Sequence, residues 1–174
     1  MSLQRIKPVV TQVRCNYHDE KTNTYPCEKM TSESHLCKSH LRQGLGLEIK
    51  ESRIKDGGKG LFAHKDQTFE RGDFICSYQG IILTLSPEDL EQGKRIEGDY
   101  VLQVGPDRFI DAIETTSSAG RYSNTLRPED AHLGQNNAQL EYDEEDDLAY
   151  LVATKHINGG DEIYTDYAAP DFFD

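Results

Sequence analysis

Apolar and polar residues alternate in short runs along most of the chain after residue 45. The run Leu47-Glu-Ile-Lys-Glu51 has the period of two that a half-buried strand requires. Other short runs, bounded by glycine, proline or charged residues, predict strands at 60–63, 73–78, 100–104, 108–113, 138–142 and 148–154. Hairpin tips are expected at Gly105-Pro-Asp107 and at the acidic run 143–147. We interpret the acidic tip as solvated, with substrate steering as the alternative.

One helix is clearly marked by its N-terminal residues. Ser86 is a suitable N-cap, Pro87 suits the first helical position, and Asp89 stands at the third position. The pattern predicts a short helix over about 87–94 that ends near Gly93.

Length and pattern together bound the architecture. The 174 residues suffice for one ordinary core and a small appendage. Short strands, with turns about every 8–12 residues, and a single obvious helix predict a mostly β fold, of the β-rich α+β class. We expect the main domain at 45–168, a small segment before it at 12–42, and a tail at 169–174.

The chain is acidic, with a formal net charge of −12 at pH 7. This charge disfavours direct nucleic-acid binding, which depends on Lys and Arg near phosphates. An acidic surface attracts basic protein partners, although solubility alone is an equally simple reason for the charge. Without an apolar run of about 18 residues or an apolar secretory segment at its start, the sequence predicts an intracellular protein that does not enter a membrane.

Three of the four cysteines are crowded into residues 15–37. The spacing C-x11-C-x9-C-x2-H is formed by Cys15, Cys27, Cys37 and His40. Three thiolates and one imidazole can close a structural zinc site, and the pattern resembles small CCCH-type zinc knuckles. His18 and His35 are alternative ligands, and free thiols or a disulfide are the alternatives without metal. The fourth cysteine, Cys76, lies in an apolar run that predicts a buried strand residue.

Four motifs in a fixed order connect the pattern to a known family. They are Gly57-Gly-Lys-Gly-Leu-Phe-Ala63, Gly72-Asp-Phe-Ile-Cys-Ser-Tyr-Gln-Gly80, Gly120-Arg-Tyr-Ser-Asn124 and Asp161-Glu-Ile-Tyr-Thr-Asp-Tyr167. Over roughly residues 47–168 they resemble the SET domain, the fold of many protein lysine methyltransferases. The resemblance implies several small curved sheets, a C-terminal segment that threads beneath 120–125, and S-adenosylmethionine as the methyl donor.

The resemblance also implies a set of cofactor-binding residues. Asn124 matches a residue that hydrogen-bonds the amino-acid portion of the cofactor, and Arg121 matches one that supports the surrounding turns. The implied set is Lys59, Gly60, Leu61, Tyr100, Arg121, Ser123, Asn124, Thr125 and Tyr167. Thr125 replaces a histidine of the family pattern that mainly offers backbone groups to the adenine. A plain turn at 57–60 and an ordinary strand aromatic at Tyr100 are the alternatives.

Tyr167 falls on the catalytic tyrosine position of the family, and Tyr100 matches an aromatic near the cofactor and lysine channel. The implied substrate-binding residues are Tyr78, Tyr122, Tyr164, Thr165 and Phe172. Thr165 stands where the family has an aromatic that limits the number of methyl groups, so we expect room for multiple methylation. A cysteine-rich segment that closes the channel in many relatives has no counterpart here. Phe172 and Phe173 are candidate replacements, with an unstructured tail as the alternative.

The second asparagine of the family pattern is displaced along this chain. Asn137 lies 13 positions after Asn124, so residues 126–135 are interpreted as an inserted loop. Asn136 is the alternative match.

The sequence therefore predicts a protein-lysine N-methyltransferase that acts on a basic protein, with a histone tail as one candidate. Such a substrate implies nuclear residence, and another substrate a cytoplasmic one. One alternative is a catalytically weak SET module that binds a peptide or protein. Another is a zinc knuckle that recognises protein or nucleic acid, with the SET core as its scaffold.

Overall fold

The computed structural model describes residues 12–18, 27–114 and 118–166. Within these ranges the strands are β1 (Val13–Arg14), β2 (Met30–Thr31), β3 (Leu47–Glu51), β4 (Lys59–Ala63), β5 (Phe74–Tyr78), β6 (Ile81–Thr84), β7 (Val101–Gln103), β8 (Arg108–Asp111), β9 (Ala138–Asp143), β10 (Leu148–Ala153), β11 (Glu162–Ile163) and β12 (Thr165–Asp166). The helices there are α1 (Lys38–Leu45) and α2 (Pro87–Glu91), with two 3-10 helices at Ala119–Tyr122 and Pro128–Leu133.

The described strands form four small sheets. β1 and β2 pair with each other near the N-terminus, and the other sheets have the strand orders β12-β9-β10-β5, β11-β4-β3 and β6-β8-β7. All of these pairs are antiparallel except β12 with β9. The β-rich architecture of several small sheets is confirmed.

The last described strands lie between two segments that are far from them in sequence. On one side, Asn124 and Tyr164 form a parallel bridge, and the amide of Thr165 donates to the carbonyl of Asn124 at 2.8 Å. On the other side, Thr165 pairs with Ala138 of β9. The loop 126–136 connects the two flanking segments, so the C-terminal segment runs between them as the family resemblance implied.

The core is built from the apolar positions of the alternating runs. Leu47, Leu61, Ile75, Leu151 and Ile163 are fully buried and belong to one continuous cluster. Because side chains alternate across a strand, most of these runs send every second residue into this cluster. The predicted hairpins are confirmed for β7–β8 and for β9–β10.

The acidic hairpin tip at 143–147 is exposed on most of its residues, as a solvated turn should be. Arg108 of β8 and the hydroxyl of Tyr142 both bond the carboxylate of Asp147. Arg108 therefore ties the tip to the neighbouring β6-β8-β7 sheet, and the hydroxyl of Tyr142 holds the tip to its own strand β9.

Helix α2 begins as predicted, because Ser86 is its N-cap and its hydroxyl accepts from the amide of Asp89 at 3.2 Å. It ends at Glu91, two residues before the expected Gly93, which adopts a left-handed φ of 66°. Helix α1 was not predicted, because only Leu41 among its eight residues is buried and no apolar stripe marks it. It runs through residue 42, so one helix joins the small N-terminal segment to the core. Among the described residues, neither α-helix is long and apolar enough to cross a bilayer.

Candidate active site and metal centre

The four predicted metal ligands come together near the N-terminus. The ligand atoms of Cys15, Cys27, Cys37 and His40 all lie within 4.8 Å of one another. All three cysteines are free thiols, so the disulfide alternative does not apply to this structure. His18 and His35, the alternative ligands, are not members of the cluster.

Local structure explains why these four residues meet. The amide of Cys15 bonds the carbonyl of Lys29 at 2.9 Å, which holds the two halves of the segment together beside the β1–β2 pair. Cys37 is the N-cap of α1, so His40 stands one helical turn later on the same side. The ring of Tyr17 stacks on that of His40 with centroids 4.0 Å apart.

The spacing of the ligand atoms suits a small tetrahedral ion. Cys27 Sγ and Cys37 Sγ are 4.0 Å apart, and His40 Nδ1 lies 3.3 Å from Cys15 Sγ and 3.6 Å from Cys37 Sγ. In a tetrahedron with zinc bonds of about 2.3 Å to sulfur and about 2.1 Å to nitrogen, these edges are about 3.8 Å and 3.6 Å. The cluster therefore has the donor set and the size of a closed structural site.

A separate cavity of about 670 Å³ lies against the core. Its walls are the loop 54–57, residues Asp99 and Tyr100, the segment from Arg121 to Thr125, and the second 3-10 helix. Five residues of the implied cofactor-binding set line it, namely Tyr100, Arg121, Ser123, Asn124 and Thr125. The structure thus brings together residues from two motifs and one separate strand region.

Arg121 is a buried cation on the wall of this cavity, with 5% of its surface exposed. Its Nη1 donates to the carbonyls of Ala112 at 2.6 Å and Ile113 at 2.8 Å. Its guanidinium lies 4.3 Å from the ring centre of Tyr100 and 4.8 Å from that of Tyr122. Among the described residues, no carboxylate pairs with this cation and its Nε has no hydrogen-bond partner. An anionic ligand group would complement it.

Asn124 has its amide nitrogen fixed by the protein. Nδ2 donates to the carbonyl of Lys59 at 3.0 Å and to Ser52 Oγ at 3.3 Å, and lies 3.5 Å from Glu162 Oε1. With the nitrogen so engaged, the side-chain oxygen remains as an acceptor for a ligand in the cavity.

Three hydroxyl groups hold the C-terminal segment behind the cavity wall. Ser123 donates to the carbonyl of Ile163 at 3.0 Å and also contacts the hydroxyl of Thr165. Thr125 donates to the carbonyl of Thr165 at 2.8 Å. Thr125, which replaces the family histidine, therefore uses its side chain to fix the strand that leads toward Tyr167.

The three implied cofactor contacts in β4 lie beside the cavity and not on its lining. Leu61 is fully buried in the core, and its backbone pairs with both β3 and β11. Gly60 packs closely against the side chain of Glu162. Lys59 contributes its carbonyl to Asn124, while its amino group pairs with Glu33, which raises the pKa of Lys59.

A second cavity, of about 430 Å³, adjoins the first and shares Asp99 with it. Tyr78, Leu102 and Phe109 are buried side chains on its wall, and Arg95 and Glu97 stand on its rim. The hydroxyl of Tyr78 donates to the carbonyl of Tyr100 at 2.9 Å. The segment at Asp99 and Tyr100 therefore separates the two cavities.

The remaining implied substrate residues occupy different environments. Tyr122 is buried against Arg121, and Thr165 is buried behind the first cavity. Tyr164 is also buried and donates its hydroxyl to Glu162 Oε2 at 2.9 Å. Burial, and then the adjacent carboxylate, raise the pKa of Tyr164, so this hydroxyl stays protonated. Tyr167 and Phe172 lie outside the described residues.

Sequence reasoning missed two residues of the site, Ser52 and Glu162. Both contact Asn124, yet they stand 110 positions apart. Ser52 lies outside the four motifs, and Glu162 lies within the motif 161–167 but was given no role there. Of the two asparagines considered, Asn137 brackets the C-terminal segment, donating to the carbonyl of Glu162 and accepting from the amide of Tyr164, both at 2.9 Å. The inserted loop contains the second 3-10 helix and forms part of the cavity wall.

Comparisons with known proteins agree with this architecture. The SET domain family model matches residues 58–168. N-lysine methyltransferase KMT5A-A of Xenopus laevis is 25% identical over 126 residues, which cover 68% of this chain and 36% of that protein. The crystal structure of CpSET8 from Cryptosporidium is similar in fold, with a TM-score of 0.50 and 20% identity, over 71% of this chain and 57% of that one. The chain belongs to the SET domain family.

Proposed function

We propose that the protein is an S-adenosylmethionine-dependent protein-lysine N-methyltransferase whose substrate is a basic protein, with a histone tail as one candidate. The proposal depends on one observation: two cavities meet across Asp99 and Tyr100 within a SET fold. A methyl donor and a lysine that enter from opposite sides can meet at such a divide. The similarity to a lysine methyltransferase supports the reaction class, although this chain matches only 36% of that relative's length.

The larger cavity fits the amino-acid portion of the cofactor. The buried guanidinium of Arg121 complements a carboxylate, and the side-chain oxygen of Asn124 is free to accept from an ammonium group. S-adenosylmethionine, when bound, supplies an electrophilic methyl group on a sulfonium. The protein's own task is then positioning, which contributes up to about 7–11 kcal/mol to such reactions.

The smaller cavity suits a lysine side chain. The lysine nitrogen must be neutral to attack, and its ordinary pKa is about 10.4. The buried walls at Leu102 and Phe109 disfavour the charged form and so lower that pKa. The acidic side chains of Glu97 and Asp99, together with the net charge of −12, attract a basic segment.

Tyr167 is proposed as the catalytic residue that aligns the lysine nitrogen. The three-hydroxyl contact at Ser123, Thr125 and Thr165 fixes the strand that ends one residue before it. We also propose a zinc ion held by the four-residue N-terminal cluster. When bound it supplies four bonds to a segment with few buried apolar residues, and it leaves no coordination position for catalysis.

The test is to measure binding of S-adenosylmethionine by calorimetry and methyl transfer to a panel of histone peptides by mass spectrometry. We expect the wild-type protein to bind the cofactor and to modify a lysine. Tyr167→Phe should retain cofactor binding and lose most turnover, and Asn124→Ala should lose cofactor affinity.

The matched control is Tyr150→Phe, which removes a hydroxyl on the outer sheet surface near Phe74 and should change neither measurement. A wild-type protein that binds the cofactor and peptides without turnover would instead be a binding module. Failure to bind the cofactor at all would overturn the proposed function. A modified histone lysine would also support nuclear residence.

A further inference from the structure

Glu162 is a buried carboxylate at the centre of the molecule, with 1% of its surface exposed. Its oxygens accept from Ser52 Oγ at 2.6 Å, the amide of Arg53 at 2.7 Å and the hydroxyl of Tyr164 at 2.9 Å. The amide nitrogen of Asn124 stands 3.5 Å from the same group. A buried charge is tolerated when it is hydrogen-bonded in this way.

The space for this carboxylate depends on a glycine in the facing strand. A Cβ atom at Gly60 would lie 2.1 Å from Glu162 Oε1, well inside contact distance. Gly60 is not among the glycines with positive φ, so backbone conformation does not require it. The reason for glycine at this position is therefore the side chain of Glu162.

Replacing a buried charge and its partners with apolar residues often leaves the stability of the fold unchanged or increases it. Stability alone therefore does not explain why a carboxylate occupies this position. Its donors instead belong to three parts of the candidate site: the start of the cavity loop at Ser52 and Arg53, the cavity residue Asn124, and Tyr164 near the end of the described chain.

The carboxylate fixes the direction of the hydrogen bonds around it. Because it can only accept, the hydroxyl of Ser52 must donate to it and presents its lone pairs to Asn124. Asn124 then directs Nδ2 toward Ser52, on the side where the carbonyl of Lys59 also accepts from it, which leaves its oxygen as the ligand acceptor. An uncharged amide in place of Glu162 would weaken this constraint, because it donates as well as accepts and leaves the carbonyl of Lys59 as the remaining obligate acceptor for Nδ2.

We infer that Glu162 is a positioning residue that orients the side-chain amide of Asn124, so that the cavity recognises the ammonium group of an amino-acid-bearing nucleoside. This inference rests on the proposed function. It adds a residue outside the cavity lining that selects for the amino-acid portion of the cofactor.

The test compares two ligands in Glu162→Gln and wild type. S-adenosylmethionine carries the ammonium group, and 5′-methylthioadenosine lacks the whole amino-acid portion. We expect Glu162→Gln to weaken the binding of S-adenosylmethionine about tenfold, which is the effect of losing one hydrogen bond to a charged group. The dissociation constant of 5′-methylthioadenosine should stay within about twofold of the wild-type value. The KM for the peptide should also stay near wild type.

The matched control is Glu141→Gln, the same chemical change on β9 away from the cavity lining, where the carboxylate bonds Gln139. It should alter neither dissociation constant. Equal weakening of both ligands by Glu162→Gln would indicate a general structural defect and would overturn the inference. Unchanged S-adenosylmethionine affinity would overturn it as well, whereas a wild-type protein that binds neither ligand would refute the proposed function first.

If Glu162→Gln does not fold, Ser52→Ala tests the same point, because it removes the hydroxyl that links Asn124 to the carboxylate and leaves the carboxylate in place. It should reduce the ratio of the 5′-methylthioadenosine dissociation constant to that of S-adenosylmethionine. An unchanged ratio would count against the inference. Gly60→Ala gives a second route. It should weaken the binding of S-adenosylmethionine when Glu162 is present. In a protein that also carries Glu162→Ala, the clash with that side chain is gone and Gly60→Ala should have little further effect. Additive effects would contradict the proposed contact.

Discussion

The N-terminal segment and the β core are each stabilised by a different kind of interaction. The core buries large apolar side chains from eight strands, β3 to β5 and β7 to β11, such as Leu61, Ile75 and Leu151. In the described part of the N-terminal segment, the buried apolar residues are Cys15, Leu36, Cys37 and Leu41. Two of these four are metal-ligand candidates. The core therefore depends mainly on buried apolar area. The segment adds only these four residues to the same cluster and depends more on a few directional bonds.

This difference determines how each region responds to damage. The buried apolar area of the core is spread over many side chains. Truncating one of them therefore lowers the stability of a cooperative unit by a limited amount. A closed metal site depends on every ligand at once. The two regions also touch, because Glu33 of the segment pairs with Lys59 of β4.

The largest expected effect is loss of the metal. Structural zinc contributes about 10–16 kcal/mol to small finger peptides, more than the segment's few buried side chains can replace. A chelator, or Cys37→Ser, should therefore make amides at 12–18 and 27–37 exchange rapidly while those of β9 and β10 stay protected. Hydrogen exchange with mass spectrometry measures both.

The matched control for that experiment is Cys76→Ala, which removes a buried thiol of β5 outside the cluster. It should leave the metal content of the protein unchanged. Continued protection of the segment in a protein shown to be metal-free would contradict the comparison.

The next effect in size is a cavity in the core. Leu151→Ala should lower the free energy of unfolding by about 2–5 kcal/mol, because Leu151 is fully buried between β9 and β5. Urea denaturation followed by circular dichroism measures it. The variant should still bind metal under native conditions. A loss below about 1 kcal/mol would mean that area is not what stabilises this region.

The contact between the two regions should contribute less. Lys59 and Glu33 are partly exposed, and such pairs contribute up to about 1 kcal/mol. Glu33→Gln should therefore shift the urea midpoint slightly, and more at low salt. A double-mutant cycle with Lys59→Met isolates the pair. A coupling of several kcal/mol would show that the segment and the core unfold as one unit.

The smallest effect is expected at an exposed ion pair within the core region. His156 Nδ1 lies 2.9 Å from Glu70 Oε1, and this hydrogen bond raises the pKa of His156. A raised pKa means that the pair stabilises the fold below about pH 6.5, the ordinary value for histidine, and that this contribution disappears as pH rises through the folded value. The difference in Tm between wild type and His156→Asn should therefore shrink from pH 5.5 to pH 8. Glu70→Gln should give the same trend, and a growing difference would contradict it.

Local pattern was sufficient for elements whose signals lie within a few residues. The pattern of apolar runs identified β3 to β5 and β7 to β10 but not β6, β11 or β12, and Ser86 with Asp89 identified the start of α2. Helix α1 was not predicted because Leu41 is the only buried residue in it. The second 3-10 helix was not predicted either. Its loop was recognised only because the spacing between Asn124 and Asn137 is longer than in the family pattern.

The candidate site divides in the same way. Arg121, Ser123 and Asn124 stand in one motif, so the family resemblance found them together. Ser52 lies outside every motif, and Glu162 stands in the motif 161–167 but has a role that appears only in its contact with a residue 110 positions away. The role of Tyr167 stays a prediction, since it lies outside the described residues.

The position of the C-terminal segment between residues 123–125 and β9 has a consequence for synthesis on the ribosome. The wall of the cofactor cavity emerges first, but the carbonyl of Asn124 obtains its partner only when Thr165 has been translated. Until then the loop 126–136 must stay open enough to admit a strand between its two ends. A nascent chain that closed this opening before Thr165 emerged would cover the position at which its own last strand docks.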